Sequence, residues 1–256
     1  MYELVLQTYF EKFNAIIAKV NERLEKYIAD PNEKNVHDLR TSIRRLDLAW
    51  RIIPSNSRKQ KMTKFVRLRK KFFRANSQIR DMDIIRQKVT AYSTDDASQI
   101  IKKIDKQKQD ELKSARKKAE IASRIMITKI EHDDKISQEK LEKRFKKITL
   151  NMINNIETAI PIVVKSDKKV KQLHELRKDC KKLRYLLEMT NYDESSNFMS
   201  KLREVQDLLG LIRDSDITID FLRGFAKKYK SLELIIKDES EKRDQMYKKF
   251  VQMQKF

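Results

Sequence analysis

Apolar residues return every three or four positions along almost the whole chain, the spacing of one face of an α-helix. A first helix is predicted through Val5, Phe10, Phe13, Ile16, Ile17, Val20, Leu24 and Tyr27, stopped by Asp30-Pro31-Asn32, a turn signal. The same spacing predicts helices from about Asn35 to Ile53, Arg58 to Ser77 and Asp81 to Tyr92, then a long charged one from Asp96 to Glu131. After His132-Asp133-Asp134 come Ser137 to Ile160, Asp167 to Met189, Ser195 to Leu209, Asp214 to Tyr229 and Ser231 to Gln254. No stretch alternates with the period of two that marks a strand. With only two glycines and three prolines among 256 residues, the many tight turns of a β protein are excluded. The expected fold class is all-α.

The pattern also repeats itself. Val36-His37-Asp38-Leu39-Arg40 matches Leu173-His174-Glu175-Leu176-Arg177 in character at every position. Downstream, Ile79-Arg80-Asp81-Met82-Asp83-Ile84 matches Ile212-Arg213-Asp214-Ser215-Asp216-Ile217, differing only at Met82 and Ser215. Two of the three histidines therefore hold equivalent places. We read one domain over 1–256 built from an internal repeat, about 1–131 followed by about 132–256.

The polar faces change the picture from scaffold to function. At about 100° per residue, Arg40, Arg44, Leu48 and Arg51 fall within about 60° of His37, while Val36, Leu39, Ile43, Leu46, Trp50 and Ile53 gather opposite. From His37 to Arg51 this basic row covers about 21 Å of axis. In the second copy His174, Arg177, Lys178, Lys181 and Tyr185 line up the same way against Leu176, Cys180, Leu183 and Leu187. Arg45 and Lys182 flank the two rows. The third helix adds Arg67, Lys70, Lys71 and Arg74, and its repeat partner keeps Arg203 but carries Glu204 and Asp207. Solvated helix faces ordinarily mix charge signs; these rows hold almost no acid. Arg offers a rigid fork of donors suited to phosphate oxygens, and Lys a mobile point charge.

Overall charge points the same way. Lys and Arg number 59 against 38 Asp and Glu, a formal net charge of +21. Such an excess is self-repulsive unless an anionic partner neutralises it: nucleic acid, polyphosphate or an acidic membrane surface. Single-strand nucleic-acid binders place aromatic stacking platforms in the basic groove. Here only Tyr185 lies on a basic row, while Phe65, Phe72 and Phe73 read as core. A surface that reads charge without bases fits polyphosphate better, with RNA or DNA as a weaker competitor and an enzyme acting on phosphate chains third.

At these residues the sequence resembles the CHAD family, the conserved-histidine α-helical domain. The repeated pattern of that family is similar to His37, Arg40, Arg44, Arg45, Leu46 with Arg80-Asp81, and to His174, Arg177, Lys181, Lys182, Leu183 with Arg213-Asp214. Lys181-Lys182-Leu183-Arg184-Tyr185 and Gln206-Asp207-Leu208-Leu209-Gly210 extend the likeness over nearly the whole chain. It implies two pseudo-symmetric helical bundles around a basic groove or pore that binds inorganic polyphosphate, with no catalysis and no cofactor. No Glu-x-Glu-x-Lys motif of a triphosphate-tunnel domain occurs, so a stand-alone domain is expected. Three positions depart from symmetry: Asp47 stands opposite Arg184, Ser77 opposite Gly210, and Glu188 opposite Arg51.

The remaining chemistry-bearing residues have plainer readings. Asp81 and Asp214 are expected to cap helix starts beside Arg80 and Arg213 rather than to bind a metal. His37 and His174, each beside an arginine, are expected to be neutral when free and to charge when an anion binds, strengthening binding from pH 8 to 6. The lone Cys180 suits a reducing compartment. Met1 to Phe10 carries Glu3 and lacks a basic start and apolar core, so no signal peptide is expected. The longest uncharged apolar run, Ala159 to Val164, is too short for a membrane span. A cytoplasmic protein associated with polyphosphate granules is the expectation.

Overall fold

A computed structural model describes residues 4–130, 136–190 and 196–253. They form helices α1 (Leu6–Ala29), α2 (Glu33–Ile52), α3 (Gln60–Ala75), α4 (Ser77–Thr90), α5 (Asp95–Ser123), α6 (Gln138–Val164), α7 (Val170–Leu187), α8 (Asn197–Ala226) and α9 (Leu232–Met253). One 3-10 turn, Ser55–Ser57, joins α2 to α3, and no strand occurs among the described residues. Two compact units result: Met1–Arg80 with Asp110–Met152 and Lys182–Asp193, and Asp81–Gln109 with Ile153–Lys181 and Glu194–Phe256. Each takes residues from both sides of the 131/132 repeat boundary, and α4, α5, α6 and α7 contribute to both.

In the first unit the apolar stripe of α1 packs on α2. Tyr9, Phe13, Ile17, Val20, Leu24 and Tyr27 are buried, as are Val36, Leu39, Ile43, Leu46 and Trp50. Helix α2 starts where it does because the Asn32 side chain accepts from the Asn35 amide at 2.9 Å and Glu33 sits at the positive end of the helix dipole. Helix α3 buries Met62, Phe65, Val66 and Phe72, and with them Arg69. The Arg69 guanidinium stacks on Phe65 at 3.5 Å and donates to Ala122 O and Asn21 Oδ1. Burial pushes its pKa down to about 9. This arginine is structural: it ties α1, α3 and α5 together.

The second unit is organised by buried ion pairs around an apolar centre of Met82, Ile85, Val89, Ile100, Ile104, Leu222 and Ile235. Asp83, 3% exposed, meets Lys108 of α5 at 2.5 Å. Asp216, 7% exposed, meets Arg243 of α9 at 2.6 Å. The second aspartate of each repeated Arg-Asp-x-Asp element thus fastens its helix to the next one in the chain. Lys88 pairs with Glu239 and donates to Ser215 Oγ at 3.2 Å, and that hydroxyl in turn donates to Glu239 at 2.9 Å. Ser215, where the first copy has Met82, therefore completes a buried polar network.

Four element boundaries differ from the sequence expectation, the first being that of α4, which starts at Ser77 rather than near Asp81. Residues 195–209 and 214–229 were expected as two helices; α8 runs unbroken through Gly210. A lone glycine costs about 1 kcal/mol in a helix, and the buried faces of Leu209 and Ile212 on either side offset it. Helix α5 ends at Ser123, short of 131. Side-chain amides of α1 take the backbone beyond it: Asn21 donates to Ile127 O, while Asn14 donates to Ile130 O and accepts from Ile130 N. Helix α6 passes Pro161 and continues to Val164. Val163 is fully buried there, and Tyr247 Oη donates to the terminal carbonyls of Val163 and Val164.

Candidate polyanion-binding site

Burying one stripe of α2 forces His37, Arg40, Arg44 and Arg51 to the other side. His37 and Arg51 are exposed; Arg40, Arg44 and Arg45 are half-buried. Leu48 is not on this face, being 2% exposed. Arg40 reaches across to α3 and α4, donating to Phe73 O at 2.7 Å and Ser77 Oγ at 3.2 Å. The Arg40 and Arg44 guanidiniums lie over the Phe73 ring at 4.2 and 5.4 Å. Phe73 is therefore not core but a half-buried platform beneath two cations. This is where the α2 and α3 rows meet.

Helix α3 carries the barest charge. Arg67, Lys71 and Arg74 are exposed. Among the described residues none forms an ion pair with them. Lys70, by contrast, is held by Asp47 at 2.9 Å, and the same carboxylate holds Arg51 at 3.0 Å. Arg45 is paired with Glu188 at 2.8 Å, and Arg184 lies 3.9 Å from the other oxygen of that carboxylate. Arg80 pairs with Glu33 at 2.8 Å. Two of the three departures from repeat symmetry, Asp47 and Glu188, thus act inside the first unit as internal counter-ions that partly neutralise the basic face.

Tyr185 is not on the basic row. It is 3% exposed, covered by the guanidiniums of Arg45 at 4.8 Å and Arg184 at 5.0 Å. At about 100° per residue it falls about 20° from His174, inside the row, yet like Leu48 at the equivalent position of the first copy it is buried by packing that the helical angle does not carry. Lys182 and Arg184 are half-buried.

In the second unit Arg177, Lys178 and Lys181 are half-buried on α7, with Arg203 and Arg213 half-buried on α8. Lys178 contacts Glu175 at 2.5 Å. His174 is half-buried, and its Nδ1 has no hydrogen-bond partner among the described residues. Burial first, then the positive charges of Arg213, Arg177 and Lys178, push its pKa down to about 4. Arg213 is thereby brought to the same electrostatic neighbourhood as the α7 row.

With no anion bound, His174 is therefore neutral throughout the window from pH 8 to 6. Its folded pKa lies below the ordinary value of about 6.5, so the unfolded chain takes up the proton first. The stability it contributes is complete above pH 6.5 and is lost as pH falls toward 4. Replacing His174 by glutamine should flatten the stability–pH curve between 6.5 and 4, measured by urea denaturation at several pH values. An unchanged slope would show that His174 does not titrate there.

Asp81 and Asp214 do not cap helix starts. Both lie inside helices, in α4 and α8, where backbone amides already have partners one turn back. A cap needs a helix start at the aspartate itself; α4 starts at Ser77, four residues before Asp81, and α8 runs unbroken past Asp214. Among the described residues no group of three or more His, Cys, Asp or Glu is arranged to hold a metal ion. Nor, among them, is any helix long and apolar enough to cross a membrane. Cys180 is buried, and burial pushes its thiol up to about 12. Sequence reading gives Asp83 and Asp216 a positioning role but not their partners Lys108 and Arg243, and it misses the buried Arg69; the available signal is a charged residue at an apolar position of the helical stripe.

No curated protein sequence matches the chain. The backbone is similar to the crystal structure of the CHAD domain from the plant Ricinus communis, with a TM-score of 0.62 and 13% identity over 96% of this chain and 86% of that one. The CHAD domain family model matches residues 12–223, which include both histidine rows and both Arg-Asp-x-Asp elements. With so much of its length matched, this chain belongs to the CHAD family.

Proposed function

We propose that the protein binds inorganic polyphosphate without catalysis, through the basic faces of α2 and α3 in one unit and of α7 in the other. CHAD domains are associated with polyphosphate binding, and the observation that carries the reading here is the α3 face. Arg67, Lys71 and Arg74 stand exposed at i, i+4 and i+7 with no ion pair among the described residues, whereas neighbouring cations are neutralised. A linear anion with a charge on every phosphate can meet such a row over about 10 Å of helix axis. The Phe73 ring supports polyphosphate over nucleic acid, because two guanidiniums lie over it where a base would have to stack.

The test is competition on nuclease-treated protein at matched phosphate concentration and moderate salt. Long polyphosphate should displace both single-stranded RNA and duplex DNA. Displacement in the opposite sense would make this a nucleic-acid-binding protein. Turnover of the polyphosphate chain during the assay would overturn the non-catalytic part of the proposal.

A further inference from the structure

A second basic feature lies at the start of α3. Gln60, Lys61 and Lys64 of its first turns and Arg124, Ile125 and Met126, just beyond α5, line an open cleft of about 460 Å³. That volume falls in the range of small-molecule sites. Among the described residues no ion pair neutralises Lys61, Lys64 or Arg124, and no acidic side chain lines the cleft. All three cations are exposed. Three cations lining one concavity with no acidic neighbour in its wall make it positive, which favours an anion seated there. Elsewhere in the same unit the cost is met internally, by Asp47, Glu188 and Glu33.

We propose that this cleft is a separate binding site for the phosphoryl groups of a short phosphate chain, distinct from the rows on α2 and α7. The Arg124 guanidinium can grip two oxygens of one phosphate, Lys61 and Lys64 supply mobile point charges to the next, and the Gln60 amide adds a neutral donor. Ile125 and Met126, the latter 39% exposed, form the apolar part of the wall. The shared chemistry is the triphosphate; its source is either an inorganic chain or a nucleotide whose ring rests on that wall. The proposal does not depend on long polyphosphate being the ligand of the α2 and α3 rows.

Calorimetric titration with inorganic tripolyphosphate and with ATP tests it, on the full chain and on the Lys61→Gln/Lys64→Gln/Arg124→Gln variant. The variant should lose at least tenfold in affinity for tripolyphosphate while keeping its circular dichroism spectrum. ATP binding tighter than tripolyphosphate, and weakened by Met126→Ser, assigns the site to nucleotides; equal affinities assign it to inorganic chains. A control of equal charge change, Lys102→Gln/Lys106→Gln/Lys117→Gln on exposed positions of α5, should leave tripolyphosphate affinity within about twofold. Unchanged affinity in the cleft variant, or an equal loss in the α5 control, would overturn the proposal. Because the probe is short, a failure here is separable from a failure of long polyphosphate to compete with nucleic acid.

Discussion

Replacing Arg67, Lys71 and Arg74 together by alanine should weaken long-polyphosphate binding by about 10- to 100-fold. Each exposed charge contact is worth up to about 1 kcal/mol, and about 1.4 kcal/mol is a factor of ten. The plot of log affinity against log salt should also become shallower by about 2 to 3, since roughly one counterion release is lost with each phosphate contact. Helical content should not change, because all three side chains are exposed and none is in the core of α3. Asp47→Asn should act in the opposite direction, by a few-fold, because it releases both Lys70 and Arg51. Affinity and its salt slope, measured by fluorescence titration on these variants, decide the matter. An equal loss on removing the same number of lysines from the exposed face of α5 would mean that diffuse charge, rather than the α3 row, holds the anion.

The largest stability effect is expected at Asp216. Its carboxylate receives Arg243 Nε at 2.6 Å, and Arg243 also donates to Asp167 O at 2.7 Å. Burial holds the Asp216 carboxyl above the usual range despite its cationic partner, and the partner's own pKa is raised. Such a pair adds little net stability, yet removing Asp216 leaves the buried Arg243 with only the more exposed Asp167 and Asp244, at a cost of up to about 3–5 kcal/mol. Asp216→Ala should therefore lower unfolding free energy by about that amount in a urea titration. Adding Arg243→Met to it should recover most of the loss, because the stranded charge is gone. A loss under about 1 kcal/mol for the single variant would show that Asp216 does not fasten α8 to α9.

The helices and their inward faces were legible in the sequence because burial acts on local periodicity. Val36, Leu39, Ile43, Leu46 and Trp50 recur at helical spacing, and all are buried. The outward basic residues follow from the same periodicity, since a helix that hides one stripe must expose the other. The paired histidine and Arg-Asp-x-Asp elements were legible for a different reason: repetition stands out against any background, whatever the residues do.

Partners are another matter. That Glu188 meets Arg45, or that Asp47 sits between Arg51 and Lys70, depends on which helices are neighbours, and a charge pattern carries no such distances. The difference between Asp81 and Asp83 shows the limit. Both belong to one motif, but Asp83 falls on the buried stripe of α4 and takes Lys108 as its counter-ion, while Asp81 is half-buried. The cap assigned to Asp81 and Asp214 required a helix start, and whether a helix stops at Gly210 is a contest between about 1 kcal/mol of local propensity and the burial of its flanks.

The sequence by itself determined that this chain is helical, strongly basic and amphipathic, because those properties rest on composition and on periodicities of a few residues. Only the tertiary structure decided which cations are bare and which are neutralised, why His174 stays neutral, and that three charges from α3 and the end of α5 converge on one cleft. Charge interactions and desolvation depend on distance and burial, and neither exists until distant parts of the chain have been brought together.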